Sequence, residues 1–294
     1  MKAHSGTRKA YWLRQLTFLA PSLLFFTVFT VFSFVAGLYY SSTKWNGLSS
    51  AVEWVGLQNY LTLGTDELFL QSFLFSAKFT LVSVIVTNLL AFFLALVLSE
   101  AVKGRGLLRA GFVLPNVISG LVLGFIWQFI FVRGFDAFGR ALGVEFLSGW
   151  LGDETTAFWG MAIVFVWQNA GYMMVIYIAG LSNIPQDLRE AAAIDGAGAW
   201  KRFTAVTFPL VMPAITVCLF MSLAAGFKLF EVPFAMTRGG PYSSTRSITM
   251  DIYFEAFTNG NYGLGGAKAV VFFAVVALVT LIQVSLTKRK EVQL

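Results

Sequence analysis

Charge is scarce in this chain. Of 294 residues only 12% are Asp, Glu, Lys or Arg, against about 25% in an average soluble domain. Histidine occurs once, as His4 in the basic N-terminal segment, so an internal histidine base or histidine metal site is excluded. Cysteine also occurs once, as Cys218 inside an apolar run, which rules out an internal disulfide framework and a cysteine metal cluster. No Gly-x-x-x-x-Gly-Lys-Ser/Thr phosphate loop is present. Nothing in the chain cradles ATP, and any ATP energy has to come from another polypeptide.

What fills the space is hydrophobic. Apolar residues make up 57% of the chain and Phe alone occurs 31 times. A run of about 20 apolar residues spans a bilayer as a helix. Six such runs are expected, at Leu16–Tyr40, Ala77–Leu98, Ala110–Val132, Ala157–Leu181, Leu210–Phe234 and Ala269–Leu286. The fold class is therefore an all-α integral membrane protein with six transmembrane helices. The first run is longer than a signal-peptide core and lacks a small-x-small cleavage site, so it reads as a retained anchor.

The net charge of +6 is a topology signal rather than a nucleic-acid signal. Thirteen of the 21 Lys and Arg flank one side of the spans: Lys2, Arg8, Lys9, Arg14, Lys103, Arg105, Arg109, Arg189, Lys201, Arg202, Lys288, Arg289 and Lys290. Six lie on the other side, at Lys44, Arg133, Arg140, Arg238, Arg246 and Lys268. The richer side is cytoplasmic, so both termini are inside. Trp45, Trp54 and Tyr60, in the first external loop (41–76), read as interfacial belt residues. The other external loops are expected at 133–156 and 235–267, with Ser247–Thr258 as an amphipathic segment on the external surface.

The cytoplasmic loop between spans four and five is unlike the rest. It reads LSNIPQDLREAAAIDGAGAWKRFTAVTFPLVMP. Pro185 and Asp187 suit a helix start, and Leu188 to Ala193 are good helix formers. Gly196 suits a helix stop. A second helical stretch is expected at Ala199–Thr207, with Pro209 opening span five. Helix–helix connections are usually about 2–8 residues. A loop this long, with a low-bulk alanine face and Glu190 free to pair, reads either as a connector of good helix formers or as a docking element.

This loop resembles the EAA loop of type I ABC importer permeases: Glu190, Ala191 and Ala192, Gly196 six residues after the Glu, and Pro209. Phe208 stands where that family usually has Leu. Ile194-Asp195-Gly196-Ala197 is similar to the version in carbohydrate-uptake permeases. GLQNYL (Gly56–Leu61), RAGFVLPNVISGLVLGFIW (Arg109–Trp127) and TRGGPYSSTRSITMDIYFEAF (Thr237–Phe257) extend the likeness over most of the chain. Gly239-Gly240-Pro241 resembles the maltose-type first permease subunit.

The resemblance implies a type I ABC importer transmembrane fold in a bacterial or archaeal inner membrane. It implies a domain at 72–284 containing the coupling loop at about 182–208, preceded by 1–71 and followed by a cytoplasmic tail at 285–294. Glu190, Ala191, Ala192, Asp195 and Gly196 would dock on a cytoplasmic ATPase. The implied partners are a second permease subunit, two ATPase subunits, an external solute-binding protein and a sugar. The implied cofactor, ATP with Mg, is bound by the ATPases and not by this chain.

Candidate solute contacts come from polar groups inside spans, which are costly and often face a cavity. Span four carries Trp167, Gln168, Asn169 and Tyr172. Aromatic faces and amides suit a polyhydroxylated solute, while helix–helix hydrogen bonding is the other use of such residues. In span five, Lys228 and Glu231 are three apart, hence on one helical face, either lining the solute path or pairing with each other. In the maltose-type family this stretch lines the solute site with Asn where this chain has charges. Pro233 is expected to loosen the helix just beyond. Gly120 and Gly124 read as a close-packing face, with the sister permease as one partner. Asn88 and Gln128 have no assigned role. An ion-coupled secondary transporter that uses Glu231 is the alternative function. An enzyme is disfavoured, since no nucleophile–base or metal-ligand set lies inside the spans.

Overall fold

The computed structural model describes residues 5–99 and 103–291. His4 and the last three residues of the expected cytoplasmic tail lie outside the described residues. Six helices are long and apolar enough to cross a membrane: Gln15–Ser41, Glu67–Ser99, Gly120–Leu142, Glu154–Ser182, Ala199–Met236 and Tyr262–Lys288, called spans one to six below. The chain divides into two compact units. One comprises Met1–Thr65 with Ile252–Val271, the other Asp66–Asp251 with Phe272–Leu294.

In the first unit, the most apolar stretch of span one buries no residue. A helix that is apolar all round suits a membrane span. After it, Thr43–Lys44 and Glu53–Trp54 pair antiparallel, with Thr43 opposite Trp54, and a short helix Gln58–Leu63 follows. Asn59 Nδ2 ties this hairpin down by donating to the carbonyls of Ser41 (2.8 Å) and Thr43 (2.9 Å). Trp45 and Tyr60 are half-buried and have partners within the unit. Trp45 stacks on Tyr40 at 4.4 Å and donates to the Ser49 carbonyl, and the Tyr60 hydroxyl bonds Ser41 Oγ at 2.6 Å. Only Trp54 of the three stands largely exposed. The unit also encloses an ion pair, Lys268 Nζ to Glu255 Oε2 at 3.2 Å, with Asn261 Nδ2 donating to the other carboxylate oxygen at 2.7 Å.

In the second unit, spans two, four and five build the core. Ala91 and Ala95 of span two, Ala170, Met173, Met174 and Tyr177 of span four, and Val211 and Cys218 of span five are all buried together. Small residues at the seam let helix backbones approach, and packing rather than the hydrophobic effect holds helices together in lipid. A second cluster adds Leu123, Phe131, Val232 and Met236 around Phe79, whose ring meets Phe158 and Phe165 edge-on. Between the clusters sits a satisfied polar knot. Asn88 Nδ2 donates to Ser222 Oγ (2.8 Å) and to its own helix at Val84, and the Tyr177 hydroxyl donates to Asn88 Oδ1 (2.7 Å). Asn88 thus links three spans.

One expectation from hydropathy is corrected here. Span three does not start at Ala110. A separate helix, Arg105–Val117, ends first, Ile118 and Ser119 run extended, and span three begins at Gly120. Pro115 has no N–H to give the last turn of that helix, and Ile118 closes it with a bond to the Pro115 carbonyl. The second loop helix covers Ala199–Thr207 as expected, and Pro209 stands in the first turn of the following helix. The loop helix continues into span five through a π-turn, Phe203–Thr207, in which the Phe208 N–H bonds Phe203 rather than the fourth residue back. The segment Ser247–Thr258 is amphipathic as expected: Ser247, Ile248, Met250 and Asp251 are fully enclosed, while Tyr253 and Phe257 on its other face are exposed. Asp251 is buried because Arg246 reaches it at 2.9 Å.

Candidate functional site

Two breaks in the second unit define the candidate site. The first is the extended pair Ile118-Ser119. The second is in span five, where the helix ending at Phe227 is capped by Lys228 and a new helix, Glu231–Met236, begins after Phe230 at φ −132°. Interrupted helices at membrane depth are tolerated only where protein or a polar cavity satisfies the freed backbone groups. Secondary transporters place their solute sites at such interruptions.

The chain partners of each break are specific. Gln168 Nε2 from span four donates to the Ile118 carbonyl at 3.3 Å. Glu231 lies against Gly120, close enough that a Cβ there would collide with its carboxylate. Gln168 and Glu231 therefore converge on the same segment, 118–120. Thr249 Oγ1 donates to the Leu229 carbonyl and relieves the second break. Gln128 Nε2 donates to the Met236 carbonyl at 3.0 Å, closing the far end of the short helix. Gly124 meets that same helix, where an added Cβ would contact Ala235 Cβ at 2.6 Å. The Gly120/Gly124 face is thus a close-packing face used within this chain, against its own Glu231–Met236 helix.

The other expected residues fall around this junction in different ways. Trp167 is 43% exposed and meets Trp127 edge-on at 5.5 Å. The Trp127 indole N–H is buried and finds no acceptor among the described residues. Tyr172 lies one turn from Gln168 on the same face, 38% exposed. Asn169 Nδ2 donates to the Phe165 carbonyl of its own helix at 2.8 Å, which leaves its oxygen open. Lys228 and Glu231 are both exposed, and they are separated by the break instead of sharing a helical face. Among the described residues no ion pair joins them. Pro233 sits in the first turn of the new helix and has no N–H for the Leu229 carbonyl four residues back, so the loosening it causes falls before it, at the break, and not beyond it. Sequence reasoning missed Ser119, exposed at the start of span three. The available signal was Pro115 followed by a Ser-Gly pair inside an unbroken apolar run.

The cytoplasmic loop is the second feature. Its helix runs Gln186–Ile194. Asp195 caps it and Gly196 takes φ +75°. The Ala197 N–H bonds the Ala192 carbonyl at 3.0 Å, and the Gly196 N–H bonds Ala193 at 3.1 Å. This is a Schellman closure, which places a left-handed residue where Gly is least strained. Glu190 accepts a hydrogen bond from Gln186 Nε2 at 2.6 Å on the exposed face, and lines a groove of about 470 Å³ with Ala193 and Arg202. Ile194 is 86% and Trp200 76% exposed, on either side of the Gly196 elbow. Sequence reasoning placed Ile194 in the loop motif without a contact role and passed over Trp200.

Residues 88–292 match the family of binding-protein-dependent transport system inner membrane components. Over 284 residues the chain is 44% identical to a probable starch degradation products transport system permease protein of Thermoanaerobacterium thermosulfurigenes, covering 97% of this chain and 96% of that protein. It is 36% identical over 283 residues to a multiple sugar-binding transport system permease protein of Streptococcus mutans, covering 96% and 97%. Among solved structures, a bacterial ABC transporter that imports the acidic polysaccharide alginate superposes with a TM-score of 0.81 at 20% identity, covering 96% of each chain. Its complex with a pentasaccharide-bound periplasmic protein gives 0.83 with the same identity and coverage.

Proposed function

Because the chain belongs to the family of binding-protein-dependent transport system inner membrane components, we propose that it forms one half of the pathway by which an ATP-driven importer takes up a sugar or related polyhydroxylated solute. It is a multi-pass inner-membrane permease and works with a second permease, two ATPases and an external solute-binding protein. Relatives named for starch degradation products and for multiple sugars support the solute class.

The observation that carries the reading is the cytoplasmic loop: a rigid Schellman elbow at Gly196 with Glu190, Ile194 and Trp200 presented outward. Such a surface fits a complementary groove on an ATPase. Glu190, Ala191 and Ala192 supply a charged, low-bulk face, while Asp195 and Gly196 set the angle at which the second helix enters span five. ATP and Mg reside on the ATPases, and this chain performs no bond chemistry of its own. Movement at the loop passes directly up span five, because Ala199–Met236 is one span with a break only at 228–230.

The solute contacts assigned to this chain cluster at the two breaks. Gln168 and Glu231 approach segment 118–120, with Trp167, Asn169 and Tyr172 beside them on span four and Lys228 across the second break. Amides, a carboxylate and an ammonium supply hydroxyl partners, and aromatic faces supply stacking surface.

Reconstitution tests the function. Vesicles holding this chain, its sister permease, both ATPases and the binding protein should accumulate sugar only with ATP. Uptake by this chain alone, driven by an ion gradient, would overturn the proposal and favour a secondary carrier.

A further inference from the structure

Span two carries a line of hydroxyls that the fold does not satisfy. Ser72, Ser76, Thr80, Ser83 and Thr87 recur at spacings of three and four residues, so they share one helical face, and each is no more than 2% exposed. Ser76 is used, accepting the Ile248 N–H at 2.8 Å. The hydroxyls of Ser72, Thr80, Ser83 and Thr87 have no hydrogen-bond partner among the described residues. A buried hydroxyl without a partner loses the bonds it would make with water, and Ala or Val would pack there without that loss.

The position of the line explains what it faces. Thr80 lies under Gly226 of span five, where an added Cβ would meet Thr80 Cγ2 at 2.8 Å. Further along, Asn88 bonds Ser222 of the same span. Ser83 and Thr87 fall between those two contacts on the same face. The hydroxyl line therefore runs under the half of span five that ends at the Lys228–Phe230 break. At one end the contact is pinned by the Asn88–Ser222–Tyr177 knot. At the other end span five is interrupted, and its last segment is packed on span three through Gly120, Gly124 and Gln128. A pin at one end and an interruption at the other let the two spans part along the hydroxyls without breaking either helix.

We propose that this face of span two is a concealed wall of the translocation path: Thr80, Ser83 and Thr87 separate from span five when the path opens outward, and then hydrogen-bond water and the hydroxyls of the passing solute. The inference rests on the importer function and adds a solute-contacting surface that the closed arrangement hides. Ser and Thr hydroxyls donate and accept equally, which matches a polyhydroxylated cargo that must be held weakly and released.

State-dependent labelling tests it in the complete importer. Single Thr80→Cys, Ser83→Cys and Thr87→Cys variants are made in a Cys218→Ser background, with Ala91→Cys as a buried control. A membrane-impermeant maleimide is applied from outside, without nucleotide and then with the ATPases trapped by ATP and vanadate. At least ten-fold faster labelling of positions 80, 83 and 87 in the trapped state is expected, with position 91 slow in both. The triple variant Thr80→Val, Ser83→Ala, Thr87→Val should assemble with an unchanged or raised melting temperature and import at least ten-fold more slowly, while Ser83→Thr imports normally. Equal labelling in the two states, or wild-type uptake by the triple variant, overturns the concealed wall while leaving the importer function standing. A wild-type assembly that does not import overturns both.

Discussion

Glu231 rests on Gly120, and no side chain fits between them. This contact joins the start of span three to the start of the last segment of span five, and it sets where a lone carboxylate is held beside the Ile118-Ser119 break. Gly120→Ala should push the carboxylate away while the chain still inserts and assembles. A charge-assisted hydrogen bond to solute is worth about 1.5–3 kcal/mol, or roughly ten- to hundred-fold in affinity. Glu231→Gln keeps the shape and removes the charge. Both variants are expected to raise the solute concentration for half-maximal uptake, read in vesicles with ATPase assembly verified. Wild-type uptake curves in both would remove Glu231 from the solute site.

Gln168 and Asn169 are neighbours with different duties, and substitution should separate them. Gln168→Leu leaves the Ile118 carbonyl unpaired at a break, a loss of about 1–3 kcal/mol. Asn169→Leu gives up a bond to its own helix that the helix does not depend on. The first should lower the melting temperature of the purified assembly clearly more than the second. Equal shifts would mean that Gln168 does not hold the break.

At the cytoplasmic loop, Glu190→Lys reverses the charge on the exposed face and should abolish coupled uptake while the chain remains in the membrane. Trp200→Ala and Ile194→Ser should weaken retention of the ATPase during purification. Gly196→Ala forces a side chain into the left-handed region, at about 1–2 kcal/mol, and should impair coupling partially. Wild-type uptake by Glu190→Lys would count decisively against this docking surface.

The polar knot gives a stability prediction. Asn88→Leu strands the Tyr177 hydroxyl in the core and removes a donor from Ser222, whose hydroxyl keeps its own bond to the Cys218 carbonyl. With about 1–3 kcal/mol for the unsatisfied hydroxyl and two further bonds lost, melting of the assembly should fall by several degrees. Tyr177→Phe removes only one bond and should fall less. Inverted ranking of the two variants would contradict the role of Asn88 as the hub.

In the first unit, Lys268→Met leaves the Glu255 carboxylate buried with only the Asn259 and Asn261 amides as partners. Breaking a buried pair from one side costs about 3–5 kcal/mol. Poor recovery of folded protein is expected, partly rescued when Glu255→Leu is added. A single variant that melts like wild type would show that the pair is dispensable.

Much of this molecule is legible in its residues, for identifiable reasons. Apolar runs reveal spans because lipid leaves a helix no other solvent. Lysine and arginine flanks reveal sidedness because charge resists translocation. The loop at Glu190–Gly196 is legible because a helix stop is a local event, decided by Gly196 and the six residues before it. The span-three break was misplaced because Val117, Ile118 and Ser119 continue an apolar run, and hydropathy does not register that Pro115 has starved the helix end of a donor. The Lys228–Glu231 pair was misread because helical spacing was carried across residues that are not helical.

The sequence by itself determined the class of the protein, the number and sidedness of its spans and the chemistry of its cytoplasmic loop. Each of these depends on the residues of one segment and their solvent. Only the tertiary structure decided that Gln168 and Glu231 meet at segment 118–120, that Gly120 and Gly124 pack against their own chain, and that Thr80 of span two lies sealed under Gly226. Those facts are contacts between distant segments, set by how closely helices pack, and no local preference encodes them.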